Sequence, residues 1–364
     1  MSYFLLGNQQ SVFAIDLAPW MSASIIVQMM TLAAGRHGAR SSAITMQRQI
    51  RGLALLFASV SAGLRAVMLV EEPVMFQDLF LERLLVGIVL VAGTCLVLWL
   101  SEQNKSKGLG GMILFIFINI LFQAVRILQV SVKTIIFETA DRMRFLGIYA
   151  LILLIAAVGM ILMYVLEHRE HRFPVQRVMI DSSMEQSNYL AIKANPAGAQ
   201  ALMYVMAFYM VLYYLLMLLH MVFSQSTVFG YLVAHLSLDQ PVGILTYLLL
   251  YMFVSVGLAS VQINPVDISE QMQRRGDCIK GIRPGKETEK LIRRTVLSSA
   301  VSSALIMSCV LGSALALRIF FPMLQDEVML PLYLIIMTGI SQMLAAEIKA
   351  VYTLDHYEQL LDLN

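Results

Sequence analysis

Long apolar stretches recur along the chain, and short polar or charged segments separate them. A helical crossing of a bilayer needs about 20 predominantly apolar residues, and backbone groups in hydrocarbon must find hydrogen-bond partners inside a helix or a closed barrel. The two-residue alternation of barrel strands is not visible in these stretches. The pattern therefore predicts an all-α polytopic membrane protein with nine crossings, at about residues 19–35, 52–70, 84–100, 112–131, 145–166, 197–222, 242–263, 295–318 and 329–348.

Lys and Arg residues fall mainly on one side of this arrangement. One alternating set of connecting segments holds 19 of the 26 Lys and Arg residues, whereas the segment 223–241 on the other side has none. Because cytoplasmic loops collect Lys and Arg, the chain is expected to start outside the cell and to end inside it, in the cell membrane. The predicted cytoplasmic segments are 36–51, 101–110, 167–197, 264–294 and 349–364.

Composition excludes other classes of protein. Of the 364 residues, 59% are hydrophobic and 14% are charged, and the mean hydropathy is +0.74, whereas soluble domains carry about 25% charged residues. The net charge of +2 does not indicate a nucleic-acid partner. Cys95, Cys278 and Cys309 lack the spacing of a disulfide framework or a zinc site. No nucleophile–base pair is found in any loop, so no enzyme, cofactor or metal site is predicted.

The two longest cytoplasmic segments contain predicted structure of their own. In 264–294, Asn264 and Pro265 are typical of a helix start and Gly276 of a helix end, and a turn with Arg283 at its tip follows. This favours a docking protrusion for a soluble partner over a loop that only sets topology. In 167–197, the residues after Glu167 are interpreted as a solvated helix end, followed by two short strands at 175–180 and 189–193.

Four segments, in order, resemble the SecY family of protein-conducting channels. PWMSASIIVQMM (19–30) is similar to the family's second helix, and WLSEQNKSKGLGG (99–111) to the turn before its fifth. YLAIKANPAG (189–198) is similar to the entry into its seventh helix, and the segment 264–294 to its longest cytoplasmic loop. The resemblance implies a helix bundle with two inverted halves and a pore for unfolded polypeptide.

The resemblance also implies a domain organisation. Residues 1–18 correspond to an extracellular plug-like segment, 19–142 to an N-terminal half with four spans, and 143–364 to a C-terminal half with five spans and the two long cytoplasmic loops. The family's first helix has no counterpart in this sequence.

Pore and gate residues are carried over from the same resemblance. A ring of apolar side chains from the family's second, fifth, seventh and tenth helices would seal the pore against ions. An ungapped alignment gives the ring Met21, Ile25, Phe117, Leu121, Met203 and Ile336. A one-residue gap in the alignment of the fifth helix would replace Phe117 and Leu121 by Ile116 and Ile120. Gln28 would lie at the lateral gate, although an ordinary interhelical hydrogen bond explains this polar residue equally well.

Several details are most similar to the accessory SecY of Gram-positive bacteria, including PWMS at 19–22 and NPAG at 195–198. This resemblance implies export of serine-rich glycosylated adhesins with an accessory SecA-type ATPase. It also implies a small SecE-like membrane subunit and other accessory Sec proteins as partners. The residues expected to dock the ATPase are Lys193, Arg274, Arg275, Lys280, Arg283 and Lys286.

Three alternative functions are compatible with the sequence: a housekeeping-type SecY channel, a secondary transporter, and an insertase without a pore. An ion-coupled transporter usually places carboxylates deep in the membrane, and Glu347 lies only at the inner end of the last span. Arg65 and Arg126, near the outer ends of their spans, are interpreted as snorkelling to the interface.

Overall fold

The structure is a computed structural model that describes residues 17–33, 43–70, 78–133, 142–177, 189–223, 227–321 and 327–361. Most of the predicted plug-like segment, residues 1–16, lies outside these ranges. The elements in chain order are α1 (Ala18–Ala33), α2 (Ala43–Leu69), α3 (Leu79–Lys107), α4 (Gly111–Lys133), α5 (Arg142–His168), β1 (Glu170–Arg177), β2 (Tyr189–Lys193), α6 (Gly198–Val222), α7 (Thr227–His235), α8 (Pro241–Gln262), α9 (Pro265–Arg275), β3 (Asp277–Ile279), α10 (Lys286–Phe320), a 3₁₀ turn (Glu327–Met329) and α11 (Leu330–Leu361).

All nine predicted crossings coincide with helices, which confirms the all-α polytopic architecture. Within the described ranges, eight helices are long and apolar enough to cross a membrane. The ninth, α1, has 16 residues, which at about 1.5 Å per residue is somewhat shorter than a full crossing. Large apolar side chains stay exposed along α3 and α5, such as Ile88 and Ile161. In a bilayer these faces contact lipid, where their exposure is favourable.

The helix α6 lies at the centre of the bundle. It packs against α1, α2, α8 and α11, while α8 packs on α10 and α5 on α11. Its buried residues occur on every side of the helix, as the run from Ala201 to Val205 illustrates. A helix that is hydrophobic all round belongs inside a protein or a membrane, and α6 is inside both.

The two long loops together form one three-stranded antiparallel sheet in the order β2-β1-β3. Glu170 pairs with Lys193 at one end of β1, and Val175 pairs with Ile279 at the other. The predicted second strand is confirmed. The first begins earlier than predicted, because residues 170–172 form a strand and not a solvated helix end, and its predicted residues 178–180 lie outside the described ranges.

The predicted helix in the loop 264–294 is confirmed as α9. The Asn264 side chain accepts a hydrogen bond from the Val266 N–H at 3.2 Å, and Gly276 closes the helix in the left-handed conformation with φ 73°. Three elements were not predicted from the sequence: the strand β3, the short helix α7 and the 3₁₀ turn.

Candidate functional site: a cavity, a seam and a charged surface

A cavity of about 620 Å³ opens among α1, α2, α4, α6, α10 and α11. Its wall on α4 includes Ile116, Asn119, Ile120 and Gln123, positions that recur with the three- and four-residue spacing of one helix face. A continuous stripe of α4 therefore faces the cavity, and it carries both apolar and polar side chains.

The apolar part of the cavity brings together most of the predicted ring. Met21 on α1, Met203 on α6 and Ile336 on α11 all line it, and all three belong to the largest buried cluster. Ile25, one turn further along α1, is buried in the same cluster and is not on the cavity wall. With Ile116 and Ile120 of α4, four helices therefore contribute apolar side chains to the wall of one cavity.

The residues that the ungapped alignment selects on α4, Phe117 and Leu121, do not line the cavity. Ile116 and Ile120 are buried and line the cavity, whereas Leu121 is 39% exposed and Phe117 packs at the edge of the buried cluster. Consecutive helical residues point about 100° apart, so a shift of one position turns the side chain away from the cavity. Of the two alignments, the gapped one selects the residues that line the cavity.

The other end of the cavity is polar. Arg65, Arg126 and Tyr214 line it, so these two arginines face the cavity and do not simply snorkel along the lipid surface. Arg318 on α10 is ion-paired with Asp239 in the turn after α7. These residues lie near the helix ends opposite the sheet, and we call this polar part of the cavity the funnel.

A polar cluster connects α1 to α6 at the predicted lateral gate. The Gln28 amide donates a hydrogen bond to the Ser24 hydroxyl at 2.8 Å, and the Tyr204 hydroxyl lies within hydrogen-bond reach of both side chains. Tyr204 directly follows Met203 in the sequence. The sequence analysis named Gln28 for the gate and did not name Tyr204, its partner across the seam between α1 and α6.

A second contact crosses the same seam nearer the funnel. Arg65 on α2 donates to the Tyr214 hydroxyl on α6 at 3.4 Å, and its guanidinium lies 5.7 Å from the centre of that ring. Together the two contacts hold α1 and α2 against α6.

The sheet side of the molecule carries the predicted docking residues, and each of them is exposed. They come from β2, from the end of α9, from the turn between β3 and α10 and from the start of α10. The pairing of β1 with β3 places both loops in one surface. The predicted docking residues, all of them exposed, are Lys193, Arg274, Arg275, Lys280, Arg283 and Lys286.

Backbone contacts fix the tip that carries Arg283. The Arg283 N–H donates to the Glu287 carboxylate at 3.4 Å, and the buried Thr288 hydroxyl donates to the Arg283 carbonyl at 3.0 Å. Gly281 and Gly285 adopt φ values of +83° and +107°, a region that favours glycine. The tip therefore has a defined shape, and the Arg283 side chain extends from it into solvent.

Comparisons with known proteins agree with this geometry. The SecY family profile matches residues 11–352. The accessory Sec system protein translocase subunit SecY2 of Streptococcus pneumoniae is 29% identical to this chain, and the match covers 98% of this chain and 86% of the relative. The SecY2 subunit of Streptococcus parasanguinis is 34% identical over a match that covers 60% of this chain and 51% of the relative. A solved protein-conducting channel superposes with a TM-score of 0.62 at 14% identity, covering 91% of this chain and 79% of its own.

Proposed function

This chain belongs to the SecY family, and we propose that unfolded polypeptide crosses the membrane through the cavity bounded by α1, α4, α6 and α11. As a SecY protein it is a multi-pass membrane protein and a protein-conducting channel subunit, and not an enzyme. The family implies partners such as SecE and SecA-type machinery.

One observation carries the choice of path: apolar side chains from four helices line the same cavity. These side chains include Met21, Ile120, Met203 and Ile336. A narrow apolar neck excludes water and therefore ions, while the funnel beyond it offers polar groups to an emerging chain. Methionine side chains are flexible and polarizable, which suits a collar that must adapt to many sequences.

A disulfide crosslink tests this path. The three native cysteines are replaced, a single cysteine is placed at Met203, and a secretory polypeptide with one cysteine is stalled in the channel. We expect a crosslink that depends on the ATPase, and no crosslink from a cysteine at Met307, which is buried in the same cluster away from the cavity wall. A substrate that engages the cytoplasmic loops without reaching Met203 would contradict the path and favour an insertase.

The seam between α1, α2 and α6 is the proposed lateral gate. Opening it separates Tyr204 from Gln28 and Ser24, and Arg65 from Tyr214. The strand β2 leads to α6 through only four residues, Ala194 to Ala197, so a partner bound at Lys193 lies close in the chain to both the ring and the gate. This connection supports a gate that responds to ATPase docking.

Tyr204→Phe is expected to ease gate opening without disturbing the fold. The change removes one hydroxyl, and interhelical hydrogen bonds in membranes contribute about 0.6 kcal/mol on average, which corresponds to roughly a threefold shift toward the open state. The measurement is the rate of crosslinking between cysteines placed on either side of the seam. Tyr251→Phe, fully buried on α8, is the control, and an equal effect of both changes would remove Tyr204 from the gate.

The finer assignment is to an accessory Sec translocase in the cell membrane, with residue 1 outside and the C-terminus in the cytoplasm. The names of the relatives and the uneven distribution of Lys and Arg support it. On this proposal the partners are an accessory SecA-type ATPase, a SecE-like subunit and other accessory Sec proteins, and the cargo is a serine-rich glycosylated adhesin. Export assays that supply either the accessory or the housekeeping ATPase test this, because export with only the housekeeping enzyme would overturn the accessory assignment.

A further inference from the structure

The short helix α7 connects the outer ends of α6 and α8, and its residue types are unusual for a surface helix. None of the residues 223–238 is Asp, Glu, Lys or Arg. By contrast, the surface helix α9 has 11 residues and includes Asp267, Glu270, Arg274 and Arg275. A helix exposed to water would be expected to resemble α9.

One face of α7 packs back onto the end of α6. The rings of Phe223 and Phe229 stack with their centres 5.9 Å apart. A Cβ atom at Gly230 would come within 3.1 Å of the His220 ring, so the helices approach closely there. This packing fixes which face of α7 is left uncovered.

The opposite face is apolar and exposed. Val228 is 61% exposed and Tyr231 63%, and Ala234 lies on the same face and is also exposed. Met221 and Val222, at the end of α6, are exposed as well, and α6 is long and apolar enough to cross a membrane. Exposed apolar patches indicate a contact with lipid or protein.

We propose that α7 lies in the interfacial layer of the outer leaflet, with Val228 and Ala234 toward the acyl chains and Tyr231 at headgroup level. Amphipathic aromatic residues favour this layer, and the uncharged chain favours lipid over an aqueous surface. The helix thereby anchors the outer ends of α6 and α8 to the bilayer. The inference uses the proposed orientation of the chain and does not depend on the path of the polypeptide.

Spin labels measure the depth of α7 directly. The native cysteines Cys95, Cys278 and Cys309 are replaced, and single labelled cysteines are placed at Val228, Tyr231 or, as a water-exposed control, Arg275. The full chain is reconstituted in lipid vesicles. We expect labels at Val228 and Tyr231 to collide with oxygen several-fold more often than a label at Arg275. We expect the same two labels to collide with a water-soluble nickel chelate several-fold less often than the label at Arg275.

The remaining outcomes overturn the proposal. Nickel accessibility equal to that at Arg275 would place α7 in water. Low accessibility to both reagents would mean that protein covers the face, and dependence on the protein-to-lipid ratio would then identify a second copy. In addition, Tyr231→Asp should move a label at Val228 toward water while Tyr231→Trp leaves it in place, and an equal response to both would contradict interfacial anchoring.

Discussion

Arg283→Glu is expected to abolish ATPase-driven export while leaving membrane insertion of the channel intact. The change reverses a charge on an exposed side chain whose backbone is held by Glu287 and Thr288, so the tip keeps its shape. Charge reversal at an interface turns steering toward an acidic partner surface into repulsion. We expect binding of the ATPase to channel-containing vesicles to weaken by at least about tenfold, corresponding to about 1.4 kcal/mol.

Two matched variants separate charge from geometry at this tip. Lys107→Glu makes the same charge reversal at an exposed residue at the end of α3 and should leave export unchanged. Arg283→Lys keeps the charge and loses the planar guanidinium, so a defect in this variant indicates directional hydrogen bonding at the docking contact. Normal export by the Glu variant would refute the docking role of the tip.

Replacing both Met21 and Met203 by glycine is expected to make the resting channel leak ions. The two changes widen the neck and remove buried apolar surface, and fully burying one such side chain is worth about 1.5–3 kcal/mol. A change of only about 1.4 kcal/mol in the cost of wetting the neck shifts the conducting population about tenfold. Conductance of the purified channel in planar bilayers measures the leak. Unchanged ion tightness would remove both residues from the ring.

The same measurement tests which face of α4 contributes to the ring. Ile120→Gly removes a side chain from the cavity wall, whereas Leu121→Gly removes one that is exposed on the outside of the bundle. Both changes put glycine into the middle of one helix, at a similar cost of about 1 kcal/mol. Only the first should raise the conductance, and a leak from Leu121→Gly alone would restore the ungapped alignment.

The choice between these neighbouring positions shows where sequence reasoning ended. Ile116, Phe117, Ile120 and Leu121 are all apolar, so composition cannot rank them. The pattern of polar residues in the same span carried an unused signal: Asn119 and Gln123 are four apart, and polar residues inside a span face protein or a water-filled cavity.

The surface formed by the three-stranded sheet and α9 could be predicted only in part. Asn264, Pro265 and Gly276 specify α9 because capping depends on residues within one or two turns. The strand β3 has three residues, too few for a recognisable pattern, and its partner β1 lies about a hundred positions earlier in the chain. Likewise Glu347 stood out only as an acid at the end of a span, and the structure makes it the acceptor for the Gly110 N–H at 3.1 Å.

The membrane class, the nine crossings, the family and the exposed basic tip could all be predicted from the sequence. Each of these depends on residues that are close in the chain: twenty apolar residues are enough to favour a crossing, and a cap needs four. Three features became visible only in the folded structure: which side of α4 faces the cavity, the contact of Tyr204 on α6 with Gln28 on α1, and the single sheet that the two long loops form. Such contacts depend on how helices rotate and pack against one another, because an apolar residue is equally compatible with lipid, with a neighbouring helix and with the wall of a pore.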